Sequence, residues 1–200
     1  MQNALWAAAF GLILLFQPCA ASAAPIAPER HVQSTIDQVR AVVDKQQDKG
    51  SPVLDARLKE ILFPLFDFEK MSRASLGPNW DKATPDEQHR FVTLFSDLLA
   101  RTYLKRIKSG VSGSRIEVGS ASVDGPKATV KTTVTSDGQP VAIDYRMEAS
   151  GDVWRVYDVL IENVGLVSNY RSEFGEIVRK DGMQGLLEKL EAKAKNEKTS

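Results

Sequence analysis

Two hundred residues with 26 Lys+Arg against 26 Asp+Glu carry no formal net charge, which excludes a nucleic-acid binder that relies on counterion release and a basic surplus. With 13 Gly and 9 Pro the chain is neither collagen-like nor low-complexity, and its single Cys leaves no internal disulfide framework and no multi-Cys zinc site. What remains is an ordinary globular chain of one domain, with room for a helical elaboration.

Residues 1–24 contain no Asp, Glu, Lys or Arg. The apolar run from Ala4 to Phe16 has the length of a signal-peptide core and falls short of the roughly 20 residues a spanning helix needs. Gln17-Pro18 stops it, and Ala21-Ser22-Ala23 supplies the small residues a signal peptidase reads, so cleavage is expected near Ala23 or Ala24. An uncleaved anchor is the competing reading, because no Lys or Arg precedes the apolar run. Cys19 does not fit a lipidation site, since Phe16-Gln17-Pro18 stands where small residues are required. Removal of the leader also removes the only thiol, as suits an oxidising compartment.

Helical periodicity follows. Val32, Ile36, Val39 and Val43 form one face of a helix from Pro28 to about Asp48, ended by Gly50. Ser51-Pro52 opens a second helix with Leu54, Leu58, Ile61 and Leu62 on one side, and Pro64 breaks it. A short helix is expected between Phe66 and Gly77. Thr84-Pro85-Asp86-Glu87 is a capping box with proline at the first helical position. The helix it starts, running to about Lys108, carries Phe91, Val92, Leu94, Phe95, Leu98, Leu99 and Tyr103 over half its circumference. That arc predicts a central helix packed on two sides.

From Arg115 to Ile161 the period changes to two. The expected strands are Arg115 to Val118, Lys127 to Thr135, Val141 to Ala149 and Val153 to Ile161, with turn residues between antiparallel neighbours. In the third, Val141, Ile143, Tyr145 and Met147 share a face and Asp144, Arg146 and Glu148 take the other. The fourth is apolar on both faces. Helical spacing resumes with Tyr170, Phe174, Ile177 and Val178, and Asp181-Gly182 restarts a helix that buries Met183, Leu186, Leu187 and Leu190. Residues 191–200 are charged and read as a flexible tail.

Chemistry-bearing motifs are scarce. His31 and His89 have no second ligand at metal spacing, Gly110 to Gly113 precedes a strand rather than following one, and no Gly-x-Ser-x-Gly elbow exists. The one acid–base candidate is Tyr103 with Asp144 or Asp158 in an apolar cone, against the simpler reading that both carboxylates lie outside it. The abundant apolar side chains fit either a filled core or a hydrophobic ligand cavity, since both use the same residue types.

Several stretches resemble the MlaC family of periplasmic phospholipid-binding proteins, also described as toluene-tolerance auxiliary proteins. They are Phe66-Asp67-Phe68-Glu69-Lys70-Met71 with Leu76-Gly77 and Trp80, the Thr84-Pro85-Asp86-Glu87-Gln88 helix start with Phe91, Phe95, Leu98, Leu99 and Tyr103, and Trp154-Arg155-Val156-Tyr157-Asp158-Val159. The most specific run is Glu162-Asn163-Val164-Gly165-Leu166-Val167-Ser168-Asn169-Tyr170-Arg171-Ser172-Glu173-Phe174, followed by Gly182, Leu186, Leu187 and Leu190. Asn163-Val164-Gly165 departs from the Gly-Val-Ser expected there, which reshapes the turn after the last strand. The resemblance covers about Val32 to Leu190.

It implies an α+β fold: a twisted four-stranded antiparallel sheet, like the nuclear-transport-factor cone, packed with a helical subdomain. The implied organisation is a leader at 1–24, a lipid-binding domain at 25–190 and the tail at 191–200. The implied function is a non-enzymatic periplasmic carrier that holds a glycerophospholipid by its acyl chains, with no cofactor or metal. It would shuttle the lipid between an outer-membrane lipoprotein complex and the substrate-binding hexamer of an inner-membrane lipid ABC transporter. A hopanoid carrier of the same family and a cone enzyme with a buried Asp are the alternatives. The expected lining is Leu62, Phe66, Phe95, Leu99, Tyr103, Ile143, Tyr145, Trp154, Tyr157, Val159, Val164, Tyr170 and Phe174. These are the large apolar groups of the central helix, the inward face of the third strand, the last strand and the helix after it.

Overall fold

The computed structural model describes residues 26–196, so the expected leader and its cleavage site lie outside the described residues, as do the last four positions. The first helix, α1, spans Pro28–Lys45 and buries Val32, Val39 and Val43 along one stripe. Helix α2, Pro52–Leu62, buries Leu54 and Leu58, and Pro64 turns the chain through a 3-10 turn at Phe63–Leu65. Helix α3, Phe68–Leu76, begins where the Asp67 carboxylate accepts the Lys70 N–H at 2.9 Å.

Helix α4, Pro85–Gly110, opens on the expected capping box, with the Thr84 hydroxyl accepting the Glu87 N–H and the Glu87 carboxylate accepting the Thr84 N–H. It is packed on two sides. Phe91, Phe95, Leu98 and Leu99 join a cluster with α3 and the last helix, whereas Ala100 and Leu104 join one with α1 and α2.

The sheet is antiparallel throughout, in the order β1-β2-β3-β4-β5, with strands Arg115–Asp124, Lys127–Ser136, Gln139–Ser150, Val153–Ile161 and Val164–Gly165. Four strands were expected from the sequence. The fifth adds only two residues, too few for any period to register, and β1 runs on past Val118 through a bulge to Asp124. The β2–β3 ladder is unbroken from Lys127↔Glu148 to Ser136↔Gln139 and closes on Asp137-Gly138, both in the left-handed region. Glu162 and Asn163, at φ 49° and 65°, make the equivalent turn before β5 without a glycine.

Between β3 and β4 the register shifts: Tyr145 faces Val159 and Arg146 faces Asp158, but Met147 faces Val156. Tyr157 is therefore the extra residue of a β-bulge. Before it the helix-facing residues of β4 are Trp154 and Val156, and after it Val159 and Ile161. That change of parity explains a strand that reads as apolar on both faces.

Helix α5 spans Leu166–Asn196 and is interrupted at Gly182 (φ 72°, ψ −179°), a conformation open only to glycine, as the sequence expectation of a restart at Asp181-Gly182 requires. Its second arm buries Leu186, Leu187 and Leu190. The segment expected to be a flexible tail from Glu191 is helical as far as Asn196, and Glu191 pairs with Arg90 of α4 at 2.7 Å.

Candidate functional site

A cavity of about 420 Å³ lies where the three apolar clusters of the molecule meet. Helix α1 contributes Val32, Ile36 and Val39. The α2–α3 connection contributes Leu62, Phe63, Leu65, Phe66 and Phe68. Helix α4 contributes Leu99, Ala100, Tyr103, Leu104, Arg106 and Ile107, and the sheet contributes Ile116, Val134, Val141, Ile143, Tyr145, Val159 and Ile161. Val32, Val39, Leu65 and Leu104 are buried, Tyr103, Ile107, Val141 and Ile161 are partly buried, and Arg106 is the one lining residue that is exposed, so the cavity opens beside it.

The wall is almost wholly hydrocarbon, because its few polar side chains are turned to other partners. The Thr35 hydroxyl donates to the His31 carbonyl of its own helix at 2.9 Å. Burial pushes the Tyr145 phenol up, opposed by its hydrogen bond with Thr132. Burial also raises Tyr103, against the pull of Arg106, whose guanidinium stands 5.8 Å from the Tyr103 ring centre. All of these phenols are neutral at physiological pH.

Of the residues expected to line a cavity, the structure brings together Leu62, Phe66, Leu99, Tyr103, Ile143, Tyr145 and Val159. It places the other six elsewhere. Phe95, Tyr170 and Phe174 interlock with Phe91 in a closed aromatic cluster, at ring-centre distances of 5.1 to 5.5 Å. Burial and the neighbouring Tyr103 push the Tyr170 phenol up to about 12. Trp154 is buried with Val130, Met147 and Val156. Tyr157, the bulge residue, meets the Lys70 ammonium at 5.3 Å, and Val164 is exposed.

Residues missed by sequence reasoning come from α1, the α2–α3 connection, the C-terminal half of α4 and the sheet. Ile161 could have been found from its parity with Val159, and Val141 from its parity with Ile143 and Tyr145. Arg106, Ile107 and the α1 face gave no such signal.

Neither candidate carboxylate lines the cavity. Asp144 alternates to the opposite face of β3 from Ile143 and Tyr145. Buried Asp158 points to the start of α5, where it accepts the Val167 N–H at 3.1 Å, with Arg146 at 3.5 Å. Gly165 makes room for it: a Cβ there would sit 3.3 Å from an Asp158 oxygen. Asp158 therefore anchors a helix N-terminus. No group of three metal-ligating side chains occurs among the described residues.

The family model described as MlaC protein matches residues 33–192, four-fifths of the chain and every element that builds the cavity. The chain belongs to the MlaC family. A curated relative, the toluene tolerance protein ttg2D of Pseudomonas putida, is 27% identical over 144 residues, 70% of this chain and 66% of that protein's length. A phospholipid-binding protein from Ralstonia solanacearum, solved in complex with a phospholipid, superposes with a TM-score of 0.77 at 28% identity. The match covers 84% of this chain and 96% of that one. The α+β fold with its antiparallel sheet is thus that of the MlaC family.

Proposed function

We propose that this MlaC family member is a periplasmic lipid carrier that holds the acyl chains of a glycerophospholipid in the cavity between α1, α4 and the sheet. It would shuttle the lipid between an outer-membrane lipoprotein complex and the substrate-binding hexamer of an inner-membrane transporter. The single observation that carries the reading is the cavity itself: about 420 Å³ with a hydrocarbon wall and an open side. That volume falls in the range of roughly 300–1,000 Å³ common to small-molecule sites and far above the roughly 150 Å³ that holds benzene. The phospholipid complex of the Ralstonia protein supports the choice of ligand.

The physics of carriage asks for little else. Each methylene moved from water into such a wall is worth about 0.8 kcal/mol, so long chains bind without any catalytic group. A passive binder of that strength does not unload by itself. Release requires a partner that binds an opened state better than the closed one. The absence of net charge fits a carrier that visits two membranes without adhering to anionic lipid.

Native mass spectrometry of protein purified without detergent, with extraction of the bound material, tests the reading. A mass excess equal to a diacyl phospholipid is expected. A hopanoid would redirect the assignment to that ligand, and a bare protein that also takes up no lipid from phospholipid vesicles would overturn it.

A further inference from the structure

Among the described residues that line the cavity, Arg106 alone carries a formal charge. It projects from the C-terminal half of α4, one residue from Ile107 and three from Tyr103, and it is the exposed member of the lining. Three other cations on the same helix are paired. Arg90 holds Glu191, Arg101 holds Asp97 and Lys108 holds Asp55. Arg106 makes no ion pair among the described residues; its guanidinium lies over the face of Tyr103.

An exposed arginine often extends freely into water. Here the stack on Tyr103 holds the guanidinium at the cavity edge, the phenols beside it are neutral, and no described carboxylate forms an ion pair with it. A positioned, unpaired guanidinium beside a hydrocarbon cavity matches an amphiphile whose acid lies next to its chain. The planar fork of Arg suits the paired oxygens of such an acid.

We propose that Arg106 is an anion subsite at the mouth of the cavity, taking the acidic group that adjoins an acyl chain, a phosphodiester or a carboxylate. The proposal rests on the carrier reading and adds what apolar walls cannot supply. Hydrocarbon holds the chains of an uncharged diacylglycerol as well as those of a phospholipid, so selection for the charged lipid falls to Arg106.

The test is a competition. Purified protein, stripped of lipid by unfolding and refolding, is offered equimolar dioleoylphosphatidylglycerol and dioleoylglycerol, and separately oleate and oleyl alcohol; native mass spectrometry reads the bound ratio. The unmodified protein is expected to favour the charged member by about fivefold, the scale of an exposed charge pair. Arg106→Gln should bring that ratio close to one, and Arg106→Lys should keep part of the preference. A loss in the first arm identifies a phosphodiester, and a loss confined to the second a carboxylate.

Ratios that are the same in Arg106→Gln and the unmodified protein in both arms overturn the anion subsite and leave the carrier reading standing. Uptake of none of the four lipids overturns both. The unmodified protein gives a second readout that needs no variant: its preference should weaken between 0.05 and 0.5 M salt, on the order expected as the screening length shortens. A preference indifferent to salt counts against the subsite.

Discussion

Helix α4 builds two regions of opposite character from the same kinds of side chain. Its N-terminal half sets Phe91 and Phe95 into a closed cluster, while its C-terminal half sets Leu99, Tyr103 and Leu104 along an open cavity. The difference lies in what stands opposite. Helix α5 brings Tyr170 and Phe174, whose rings meet Phe95 edge-on at 5.1 and 5.4 Å and fill the space. Facing the second half, the sheet brings Val134, Val141, Ile143, Val159 and Ile161, which are short and stiff and cannot reach across. An apolar helix face therefore specifies burial, and its partner decides whether that burial encloses space.

The comparison breaks most sharply on truncation. Phe95→Ala removes a fully buried ring from a packed cluster and should cost about 3–5 kcal/mol of stability. Leu99→Ala, one turn further along, enlarges a space that is already open and should cost about 1–2 kcal/mol, since mainly the transfer contribution is lost. Denaturant unfolding of both variants measures the pair. Equal costs would mean that the two halves of α4 are packed alike.

The same contrast explains what could be read from the sequence. Helix starts were legible because they rest on local chemistry, as with Thr84 and Glu87, and the strands because Val141, Ile143 and Tyr145 alternate. The break at Gly182 was legible for the same reason. The cavity wall was legible only in part. Periodicity says that Phe95, Tyr170 and Phe174 are buried, but whether they meet each other or a void depends on α5, a contact some 75 residues away in sequence. Tyr157 was misplaced by the bulge, which inverts strand parity at a single residue and leaves no mark on composition, whereas Trp154 faces the helices but packs with Val130 and Met147 beyond the cavity. The contribution of α1 was hidden because its stripe reads as an ordinary helix face.

Gly182 sharpens the comparison from the closed side. Its φ of 72° with extended ψ is strained for any residue with a Cβ, so Gly182→Ala should lower stability by about 1–3 kcal/mol and loosen the arm that carries Leu186 and Leu187. Hydrogen exchange should localise the loss to that arm and α4; uniform loosening of the sheet instead would contradict the assignment.

On the open side the sign of the experiment reverses, because the space can accept volume. Val159→Trp should fill part of the cavity and reduce lipid occupancy several-fold, while the melting temperature changes by a few degrees at most. Native mass spectrometry and thermal unfolding on the same sample read both effects. Undiminished occupancy would remove Val159 from the lipid path. A collapse of the fold would show that this part of the wall is as tightly packed as the aromatic cluster.

The smallest effect expected is electrostatic, at the seam between α2 and α4 beside the cavity. Lys59 of α2 meets Asp97 of α4 at 3.0 Å, and Arg101 pairs with the same carboxylate. Burial alone would raise Asp97, but the two cations outweigh it and hold the carboxyl below its ordinary 3.8. A folded-state pKa below the unfolded one contributes stability that is present above about pH 4 and is lost as pH falls through the lower folded value. The ion pair is a third exposed, so solvent screens it and the contribution is modest. Asp97→Asn should therefore lower the melting temperature slightly at pH 7 and not at pH 2, so that the two proteins converge on acidification. Parallel melting curves across that range would show that the seam is held by Leu58 and its apolar neighbours alone.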